Sequence, residues 1–503
     1  MSNRMNTGTD RENGMDVGTV SNPLLMDLYQ LTMAQGYWRC GLQDAQASFV
    51  YSFRKNPYRG GFAMLSGIEE LRKYLLNWGF SDKDCQWLLT LKAADGSKLL
   101  APDFIEMLGS LRMDLDVAAV SEGTIVFAGE PLVRVTGSLI NCQLIETVLM
   151  NRVNFETLIA TKAARCYIAS DGDPILEFGL RRAQGPDGGA SASRAAYIGG
   201  CFATSNIEAA RRFGIPVAGT HAHAWVMAFD REEEAFQAWT QSSPSNVVLL
   251  VDTYNSLSGI EQAVRAGVVL QKAGGSFSGI RLDSGDLAWL SKRARKMLDD
   301  AGLVDAQIYA SNDLDEYTIA SLKEQGARID SWGVGTRLST GGGQSALGGV
   351  YKMAALKKAG SDVWEPKLKV SDQSAKTSIP GLQGLRRYFN HKGRPVGDMV
   401  YDLERPPAGG KDATIVDPQD MTRQKSFSPD MECAELLQPM FVGGEAVGEV
   451  RDIEQIRESA LTNLSVLDNS HKRFMRPHRY PVGLERTLFE KQLQLVKKHK
   501  GVS

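Results

Sequence analysis

The segment that decides the fold is Gly279-Ile280-Arg281-Leu282-Asp283-Ser284-Gly285-Asp286-Leu287. Ile280 and Leu282 alternate with polar residues, as in a short strand, and the chain then breaks at Ser284-Gly285. Beyond the break, apolar residues recur at the spacing of a helix, at Leu287, Leu290, Ala294, Met297 and Leu298. We expect Asp283 or Ser284 to cap this helix, because the first N–H groups of a helix need acceptors.

The same segment places charged and small polar residues at the carboxyl end of a strand. Parallel sheets and barrels hold their ligand sites at that end. Taken alone, the segment also fits a capped turn with a structural Arg–Asp pair. Five other predicted strands end in the same way, so that polar or small residues occupy 178–182, 219–223, 252–255, 281–283, 311–313 and 335–337. Six such strand ends predict a functional rim.

The spacing of the strands predicts an α/β fold. Strand-like runs lie near residues 175–178, 216–219, 247–251, 280–282, 307–310 and 331–334. The later ones recur at roughly 25–30 residues, the length of a βα unit, and are apolar enough for burial on both faces. We therefore predict an irregular α/β barrel at 151–355, an N-terminal α+β domain at 20–150, and a C-terminal α+β portion at 356–503 packed on both. Residues 1–19 are polar and predicted to be disordered.

Composition excludes several classes of function. The 503 residues include 57 basic and 59 acidic ones, and this near balance argues against a nucleic-acid or membrane-surface protein. No apolar run has the length of a membrane-spanning helix. The six cysteines form no C-x-x-C pair, which favours free thiols in the cytoplasm over disulfides or zinc.

The predicted rim carries the chemistry of a phosphate–sugar site. Its arginines, 181, 281 and 337, suit phosphate oxygens, and its aspartates, 252, 283 and 313, suit Mg²⁺ or ribose hydroxyls. The absence of G-x-x-x-x-G-K-[ST] argues against a P-loop ATPase. His221 and His223 lack the partners of a zinc site, and we expect a structural role for the first and a functional role for the second. Many barrel enzymes would fit this description.

Several of these segments, together with two outside the predicted rim, resemble the nicotinate phosphoribosyltransferases, a branch of the type II phosphoribosyltransferases. The matching segments are Asp27–Met33, Glu177–Ala183, Gly219–His223, Val251–Asn255, Arg281–Leu287, Gly333–Thr336 and Tyr480–Leu484. They occur in the family's order from about residue 22 to about residue 490.

The resemblance implies that nicotinate and phosphoribosyl diphosphate give nicotinate mononucleotide and diphosphate, with coupled ATP hydrolysis. It implies catalytic roles for His223, Arg281 and Asp283. The family phosphorylates the histidine of its Gly-Thr-x-Ala-His motif, which aligns with His223. Arg281 and Mg²⁺, bound mainly through substrate phosphates, would hold the leaving diphosphate, while Asp283 and Asp252 would orient the ribose, the metal or His223.

The resemblance also implies a set of substrate contacts. Phe178 would stack on the pyridine ring and Arg181 would meet a carboxylate or a phosphate. Ser205 would favour nicotinate, since the nicotinamide-using relatives carry an Asp there, which would repel a carboxylate. Tyr29 would close the other face of the ring from a second subunit, which implies a homodimer with shared sites. The remaining expected substrate contacts are Asn312, Gly335 and Thr336.

Other functions compete with this prediction. One alternative performs the same chemistry on nicotinamide or quinolinate, and Ser205 argues against it. Another is a non-catalytic dimeric paralogue, which has no need to keep Arg281, Asp283 and His223 together. A third is an unrelated phosphate-binding barrel such as an aldolase, but no Schiff-base lysine follows a predicted strand.

Overall fold

The computed structural model describes residues 22–244, 247–371, 377–407 and 413–501. The predicted disordered tail at 1–19 lies outside these ranges. Among the described helices, none is both long and apolar enough to cross a membrane. All six cysteines are free, three of them buried.

The N-terminal part is a mixture of helices and antiparallel strands. Its helices are α1 Leu28–Arg39, α2 Ile68–Leu76, α3 Asp82–Leu88, α4 Pro102–Ser110 and α5 Leu139–Leu144, and its strands are β1 Gln46–Phe53, β2 Ala63–Met64, β3 Asp116–Val120, β4 Ile125–Val126 and β5 Val133–Ser138. A long helix, α6 Glu146–Ser170, follows.

The middle of the chain alternates between strands and helices. Its strands are β6 Ile175–Glu177, β7 Ala203–Thr204, β8 Val247–Leu250, β9 Phe277–Leu282, β10 Gln307–Ala310 and β11 Ser331–Val334. Its helices are α7 Gly185–Ile198, α8 Ile207–Phe213, α9 His223–Met227, α10 Glu232–Ser242, α11 Ser256–Lys272, α12 Leu287–Asp300, α13 Glu316–Glu324 and α14 Thr336–Ser339.

The rest of the chain is mainly antiparallel. Its strands are β12 Gly349–Lys357, β13 Glu365–Pro366, β14 Gln383–Phe389, β15 Pro395–Asp402, β16 Ala413–Asp417, β17 Asp420–Phe427, β18 Cys433–Glu435, β19 Leu437–Val442, β20 Glu445–Ala446 and β21 Val482–Glu485. Its helices are α15 Ile453–Val466, α16 Asn469–Lys472 and α17 Arg486–Lys500.

The six middle strands form one parallel sheet in the order β7-β6-β11-β10-β9-β8. This sheet confirms the mixed α/β class but corrects the predicted barrel. Within the described residues the edge strands β7 and β8 do not pair with each other, so the sheet is a curled half-barrel rather than a closed ring. The carboxyl ends of its strands still converge along one edge, as a ligand site requires.

One predicted strand, near 216–219, is not a strand. Val217 makes only an isolated bridge to Thr204, and the strand at this edge of the sheet is β7. Pro216 explains part of the difference, because proline has no N–H to donate to a ladder. The two-residue β7 is too short to leave a periodic signal in the sequence.

The predicted helix caps also shift. Asp286 is the N-cap of α12 and accepts from the Trp289 N–H at 2.9 Å, whereas Asp283 and Ser284 are engaged elsewhere. Gly285 has a φ of +80°, a turn that a residue with a side chain disfavours. This turn moves the start of the helix past both predicted capping residues.

The N-terminal and C-terminal parts share one seven-stranded sheet, in the order β13-β12-β1-β5-β3-β19-β20. A second sheet joins six strands of the C-terminal part, in the order β17-β16-β21-β15-β14-β18. The predicted boundary at 150/151 falls inside α6, and the one at 355/356 falls inside β12. Strands distant in sequence complete the N-terminal sheet, so its composition cannot be read from a linear division of the chain.

Helix α6 connects the two main hydrophobic cores. Val153 and Leu158 pack in the N-terminal core, whereas Ile159 and Ala163 pack in the core under the parallel sheet. The helix also carries two buried basic side chains, and both contact the same glutamate of α13. Lys162 Nζ lies 2.5 Å and Arg165 Nε 2.8 Å from the carboxylate of Glu316. This buried trio fixes the helix that follows the β10 strand end.

Candidate active site

A cavity of about 340 Å³ opens at the carboxyl ends of the parallel strands. It is lined by Phe178, Leu180, Arg181, Ser205, Gly219, Thr220, His221, Ala222, His223, Leu250, Arg281 and Asp283. Six of the predicted site residues, from three strand ends and the start of α9, therefore share one cavity: Phe178, Arg181, Ser205, His223, Arg281 and Asp283. The parallel sheet brings them together because all of its strands end at this edge.

Arg281, near the end of β9, is held on three sides. Its Nε donates to Ser311 Oγ at 2.7 Å, Nη1 to Thr220 Oγ1 at 2.9 Å, and Nη2 to Asp283 Oδ1 at 3.0 Å. Its guanidinium also lies 5.4 Å from the centre of the Phe178 ring. These contacts fix the plane of the guanidinium before any substrate arrives, which is the preorganisation that anion recognition requires.

Two aspartates from neighbouring strands are linked to each other. The backbone N–H of Asp283 donates to Asp252 Oδ2 at 3.2 Å, and the Ser284 hydroxyl donates to the same oxygen at 2.5 Å. Asp283 Oδ1 accepts a short hydrogen bond from Ser311. Asp252 Oδ1 is buried and has no hydrogen-bond partner within the described residues, although a buried carboxylate oxygen is normally satisfied.

His223, the first residue of α9, faces both acids. Its Nδ1 lies 3.2 Å from the Thr253 hydroxyl, while Nε2 lies 4.0 Å from Asp252 Oδ1 and 3.8 Å from Asp283 Oδ2. The side chain is 41% exposed, whereas that of Asp252 is fully buried. The imidazole is therefore accessible from solvent and lies beside two carboxylates.

His221 has a different environment. It is buried and its Nε2 accepts the Leu250 N–H at 3.2 Å, which places the proton on Nδ1, 3.4 Å from the Ala222 carbonyl. Burial lowers the pKa of His221 to about 4 because it disfavours the charged ring. The neutral ring braces β8, as the sequence predicts.

Phe178 has room for its ring because the neighbouring Gly333 lacks a side chain. Its N–H donates to the Val334 carbonyl at 2.9 Å, and a Cβ on Gly333 would come within 2.8 Å of the ring. Ser205 lies beside it at the end of the neighbouring strand β7, and the Ser205 N–H donates to the Glu177 carbonyl at 3.0 Å. Phe178 and Ser205 thus form two walls of one end of the cavity.

The described residues contain no group of three or more His, Cys, Asp or Glu that could hold a metal ion. The site does offer the unpartnered Asp252 Oδ1 and the partly exposed Asp283 carboxylate. A larger cavity, about 500 Å³, lies between the seven-stranded sheet and the C-terminal part. It contains none of the predicted site residues, so the smaller cavity is the candidate active site.

Comparison with known proteins identifies the family. The model for the nicotinate phosphoribosyltransferase (NAPRTase) family matches residues 174–395, the one for its N-terminal domain matches 24–154, and the one for its C-terminal domain matches 383–492. Nicotinate phosphoribosyltransferase of Bacillus subtilis (strain 168) is 41% identical over 474 residues, covering 93% of this chain and 94% of the relative. The Homo sapiens enzyme of the same name is 31% identical and covers 95% and 97%.

This chain belongs to the nicotinate phosphoribosyltransferase family.

Solved structures agree with that assignment. The crystal structure of human nicotinic acid phosphoribosyltransferase superposes with a TM-score of 0.81 at 30% identity, covering 93% of this chain and 99% of that one. A nicotinate-nucleotide pyrophosphorylase from Pyrococcus furiosus superposes with a TM-score of 0.67 at 20% identity, over 88% and 95% of the two chains. The second likeness concerns the fold alone.

Not every residue expected from the nicotinate phosphoribosyltransferase motifs lines the cavity. Asn312, Gly335 and Thr336 lie at the neighbouring ends of β10 and β11, and Asn312 has a φ of +126°. Asp252 lies behind Asp283. Tyr29 lies on α1 in the N-terminal part, is 45% exposed, and does not line the cavity of its own chain.

Four residues that contact the predicted site residues were not expected from the sequence. Thr220, Thr253 and Ser311 lie within the strand ends that the sequence singles out, and each one holds Arg281 or His223. They differ from the other rim residues only in the direction of their side chains, which the sequence does not show. Glu177 is the last residue of β6 and is buried; it begins one of the family motifs, but nothing in the sequence assigned it a role.

Proposed function

We propose that this protein transfers the phosphoribosyl group of phosphoribosyl diphosphate to nicotinate, giving nicotinate mononucleotide and diphosphate, with coupled ATP hydrolysis. Its membership of the nicotinate phosphoribosyltransferase family supports this reaction. The main observation behind this proposal is that Arg281, Phe178 and Ser205 all line the same cavity. An aromatic face, a fixed guanidinium and a hydroxyl suit a planar ring that bears a carboxylate.

The reaction needs little acid–base chemistry. The lone pair of the pyridine nitrogen forms a bond to C1 of the ribose, and the C1–O bond to diphosphate breaks with its electron pair leaving on the diphosphate. No proton is removed from nicotinate. The protein's contribution is therefore the alignment of the two reactants and the stabilisation of charge around C1.

Arg281 fits the carboxylate of nicotinate. Its guanidinium lies 5.4 Å from the centre of the Phe178 ring, the ring on which the pyridine would stack. The family resemblance implied that Arg281 holds the leaving diphosphate, but its position beside Phe178 favours a contact with the nicotinate carboxylate. The part of the cavity lined by Phe178, Ser205 and Arg281 is called the base slot. Ser205, at the end of the neighbouring strand, would donate to the same carboxylate, whereas an aspartate there would repel it.

The phosphate groups would occupy the other end of the site. Asn312, Gly335 and Thr336 follow β10 and β11 and would meet the ribose phosphate, with Arg181 at the cavity edge. Magnesium would be held mainly by substrate phosphate oxygens, because the described residues offer no cluster of three ligands, and Asp283 is the carboxylate that lines the cavity. When bound, the ion neutralises charge on the leaving diphosphate.

ATP would act through His223. The imidazole would accept the γ-phosphoryl group, with ADP leaving, and water would later cleave the phosphohistidine. Thr253 would orient the ring from Nδ1, and Asp252 and Asp283 would face Nε2. A phosphoryl group on His223 adds negative charge and acceptor oxygens beside the proposed substrate site, which would order it around magnesium and phosphoribosyl diphosphate.

The site would be completed in a homodimer. Tyr29 is exposed, and Leu28, Met33 and Leu25 on or beside α1 are also exposed apolar side chains. An apolar face of this kind suits burial against a second copy, where Tyr29 would cover the pyridine ring held by Phe178. Burial and Glu146 raise the pKa of Tyr29 to about 12, so its phenol stays neutral.

An activity assay tests the proposal. Purified protein is given phosphoribosyl diphosphate with nicotinate or nicotinamide, each with and without ATP and Mg²⁺, and products are resolved by chromatography. We expect nicotinate mononucleotide, with faster formation when ATP is present. Conversion of nicotinamide in preference to nicotinate would overturn the substrate, and conversion of neither would overturn the catalytic proposal.

A further inference from the structure

A buried carboxylate lies beneath the base end of the cavity. Glu177 ends β6, is 1% exposed, and does not line the cavity. Its Oε1 accepts a short hydrogen bond from the Gly179 N–H. Its Oε2 accepts from Ser193 Oγ at 2.8 Å and from Thr204 Oγ1 at 2.6 Å. All three donors are uncharged groups.

These donors belong to three separate elements. Gly179 is in the turn that carries Phe178, Ser193 is in α7, and Thr204 ends β7 directly before Ser205. One carboxylate thus ties together the two walls of the base slot and the helix behind them. The backbone carbonyl of Glu177 adds to this, since it accepts the Ser205 N–H at 3.0 Å.

Asn206 extends the network on the far side of Ser205. Its side-chain Nδ2 donates to Ser193 Oγ at 3.1 Å, and its backbone N–H donates to Thr204 Oγ1 at 3.0 Å. Asn206 is 2% exposed. Ser205 is therefore held between two residues of the same buried network, and its position depends on that network.

The turn that follows Phe178 is also fixed by close contacts at Gly179. A Cβ on Gly179 would come within 2.4 Å of Ser339 and 2.9 Å of Glu177 Oε1, so only glycine lets the backbone approach both. Ser339 Oγ donates to the Gly179 carbonyl at 3.2 Å. Glu177 holds the N–H of this residue and Ser339 holds its carbonyl.

We propose that Glu177 is a positioning residue that sets the spacing between Phe178 and Ser205 and thereby determines how tightly the enzyme binds nicotinate. This inference rests on the proposed binding of nicotinate between these two residues. Glu177 touches no substrate in this scheme. It acts through the Gly179 turn and through Thr204.

Glutamine is a discriminating replacement because a carboxylate can accept from every donor at once. In E177Q the amide can still accept from Gly179 through its oxygen, but its NH₂ then faces the two hydroxyls. Thr204 donates its hydroxyl hydrogen to Glu177 and accepts from Asn206, whereas the single hydroxyl hydrogen of Ser193 can go either to Glu177 or to the Gly189 carbonyl, 3.0 Å away. With the NH₂ of Gln facing it, the Thr204 hydroxyl hydrogen loses its acceptor, and we expect β7 and Ser205 to shift.

The test compares E177Q and T204V with T161V by steady-state kinetics and thermal unfolding. T204V removes one donor to Glu177 at nearly constant volume. T161V is the matched control, since Thr161 is a buried threonine on α6 whose hydroxyl accepts the Met64 N–H at 2.9 Å away from the cavity. Nicotinate and phosphoribosyl diphosphate are varied separately, so that each variant gives one KM for each substrate.

We expect E177Q and T204V to raise the KM for nicotinate about tenfold and to change the KM for phosphoribosyl diphosphate by less than about twofold. T161V should lower the melting temperature without changing the ratio of the two KM values. In E177Q/T204V the nicotinate effect should be smaller than the product of the single effects, because both act through one network.

Two results would overturn the inference. One is a nicotinate KM that stays at the wild-type value in folded E177Q and T204V. The other is an equal rise of both KM values, which would mean general damage to the site. If E177Q does not fold, T204V decides by the same criteria. Nicotinate turnover by the wild type, measured alongside, tests the proposed function separately.

Discussion

Arg281 donates to Asp283 over 3.0 Å across the end of β9, and both residues line the cavity. The pair fixes the guanidinium beside Phe178 while it leaves the second oxygen of Asp283 3.8 Å from His223 Nε2. One ion pair therefore joins the proposed base slot to the proposed phosphohistidine. A substitution at either residue should therefore affect both the transfer to nicotinate and the phosphorylation of His223.

Replacing Arg281 by lysine tests its role as a carboxylate anchor. Lysine keeps the charge but loses the planar fork that Ser311, Thr220 and Asp283 hold in place. We expect R281K to lower kcat/KM for nicotinate by about a hundredfold, or about 2.7 kcal/mol, mainly through KM. If KM for nicotinate is unchanged and KM for phosphoribosyl diphosphate rises, Arg281 contacts the diphosphate instead.

His223 and His221 form a matched pair for testing the phosphohistidine. H223A should abolish both the ATP stimulation and the labelling of the protein by γ-labelled ATP, while slow ATP-independent turnover remains. H221A should keep the labelling but destabilise the fold by about 1–3 kcal/mol, because the Leu250 N–H loses its buried acceptor. Undiminished ATP stimulation in H223A would refute the assignment.

Ser205 is the residue at which substrate choice should respond. S205D introduces a carboxylate into the cavity beside Phe178, where it would repel nicotinate but not nicotinamide. We expect kcat/KM for nicotinate to fall at least about tenfold further than that for nicotinamide. S205A serves as the neutral control, and an equal loss of both substrates in S205D would place selectivity elsewhere.

Mixing inactive variants tests the shared site of the proposed dimer. Y29A removes the partner's contribution and H223A removes the histidine, so each homodimer lacks an intact ATP-coupled site. A mixed dimer would hold one site with both residues, and ATP-stimulated turnover should return after subunit exchange. Light scattering would show the dimer directly, and a monomer with full activity would exclude this arrangement.

A buried acid–arginine cluster should make stability depend on pH. Arg194 contacts Glu122 at 2.7 Å and Glu156 at 2.5 Å. Burial raises the pKa of Glu156 to about 7, whereas Arg194 and backbone N–H groups overcome burial and hold the pKa of Glu122 at about 2. One carboxylate stays charged beside the arginine, and the other is protonated below neutral pH.

The two shifts act in opposite directions. Between about pH 4.5 and pH 7 the folded state holds a proton on Glu156 that the unfolded state has lost, so this residue makes stability fall as pH rises. Glu122 stabilises the fold above its unfolded pKa and loses that contribution as pH falls toward 2. Thermal melts from pH 5 to 7.5 should show a weaker pH dependence in E156Q than in the wild type, and identical slopes would contradict the assignment.

Sequence reasoning reached most of the site because parallel sheets place their chemistry at strand ends. Arg281, Asp283, His223 and Phe178 all follow or end apolar runs, and the structure brings them into one cavity. The same reasoning misplaced the strand at 216–219 and the cap of α12. In both cases a single backbone feature, the missing N–H of Pro216 and the left-handed turn at Gly285, overrode the side-chain pattern.

The sequence by itself determined the family, the α/β alternation and the residue types of the rim, because these depend on local periodicity and short motifs. Tertiary structure alone decided that the half-barrel stays open and that β12 joins the N-terminal sheet. It alone also decided that Glu177 sits beneath the proposed base slot. These features depend on contacts between residues far apart in the chain, and the directions of those contacts are fixed only when the sheet and its helices pack.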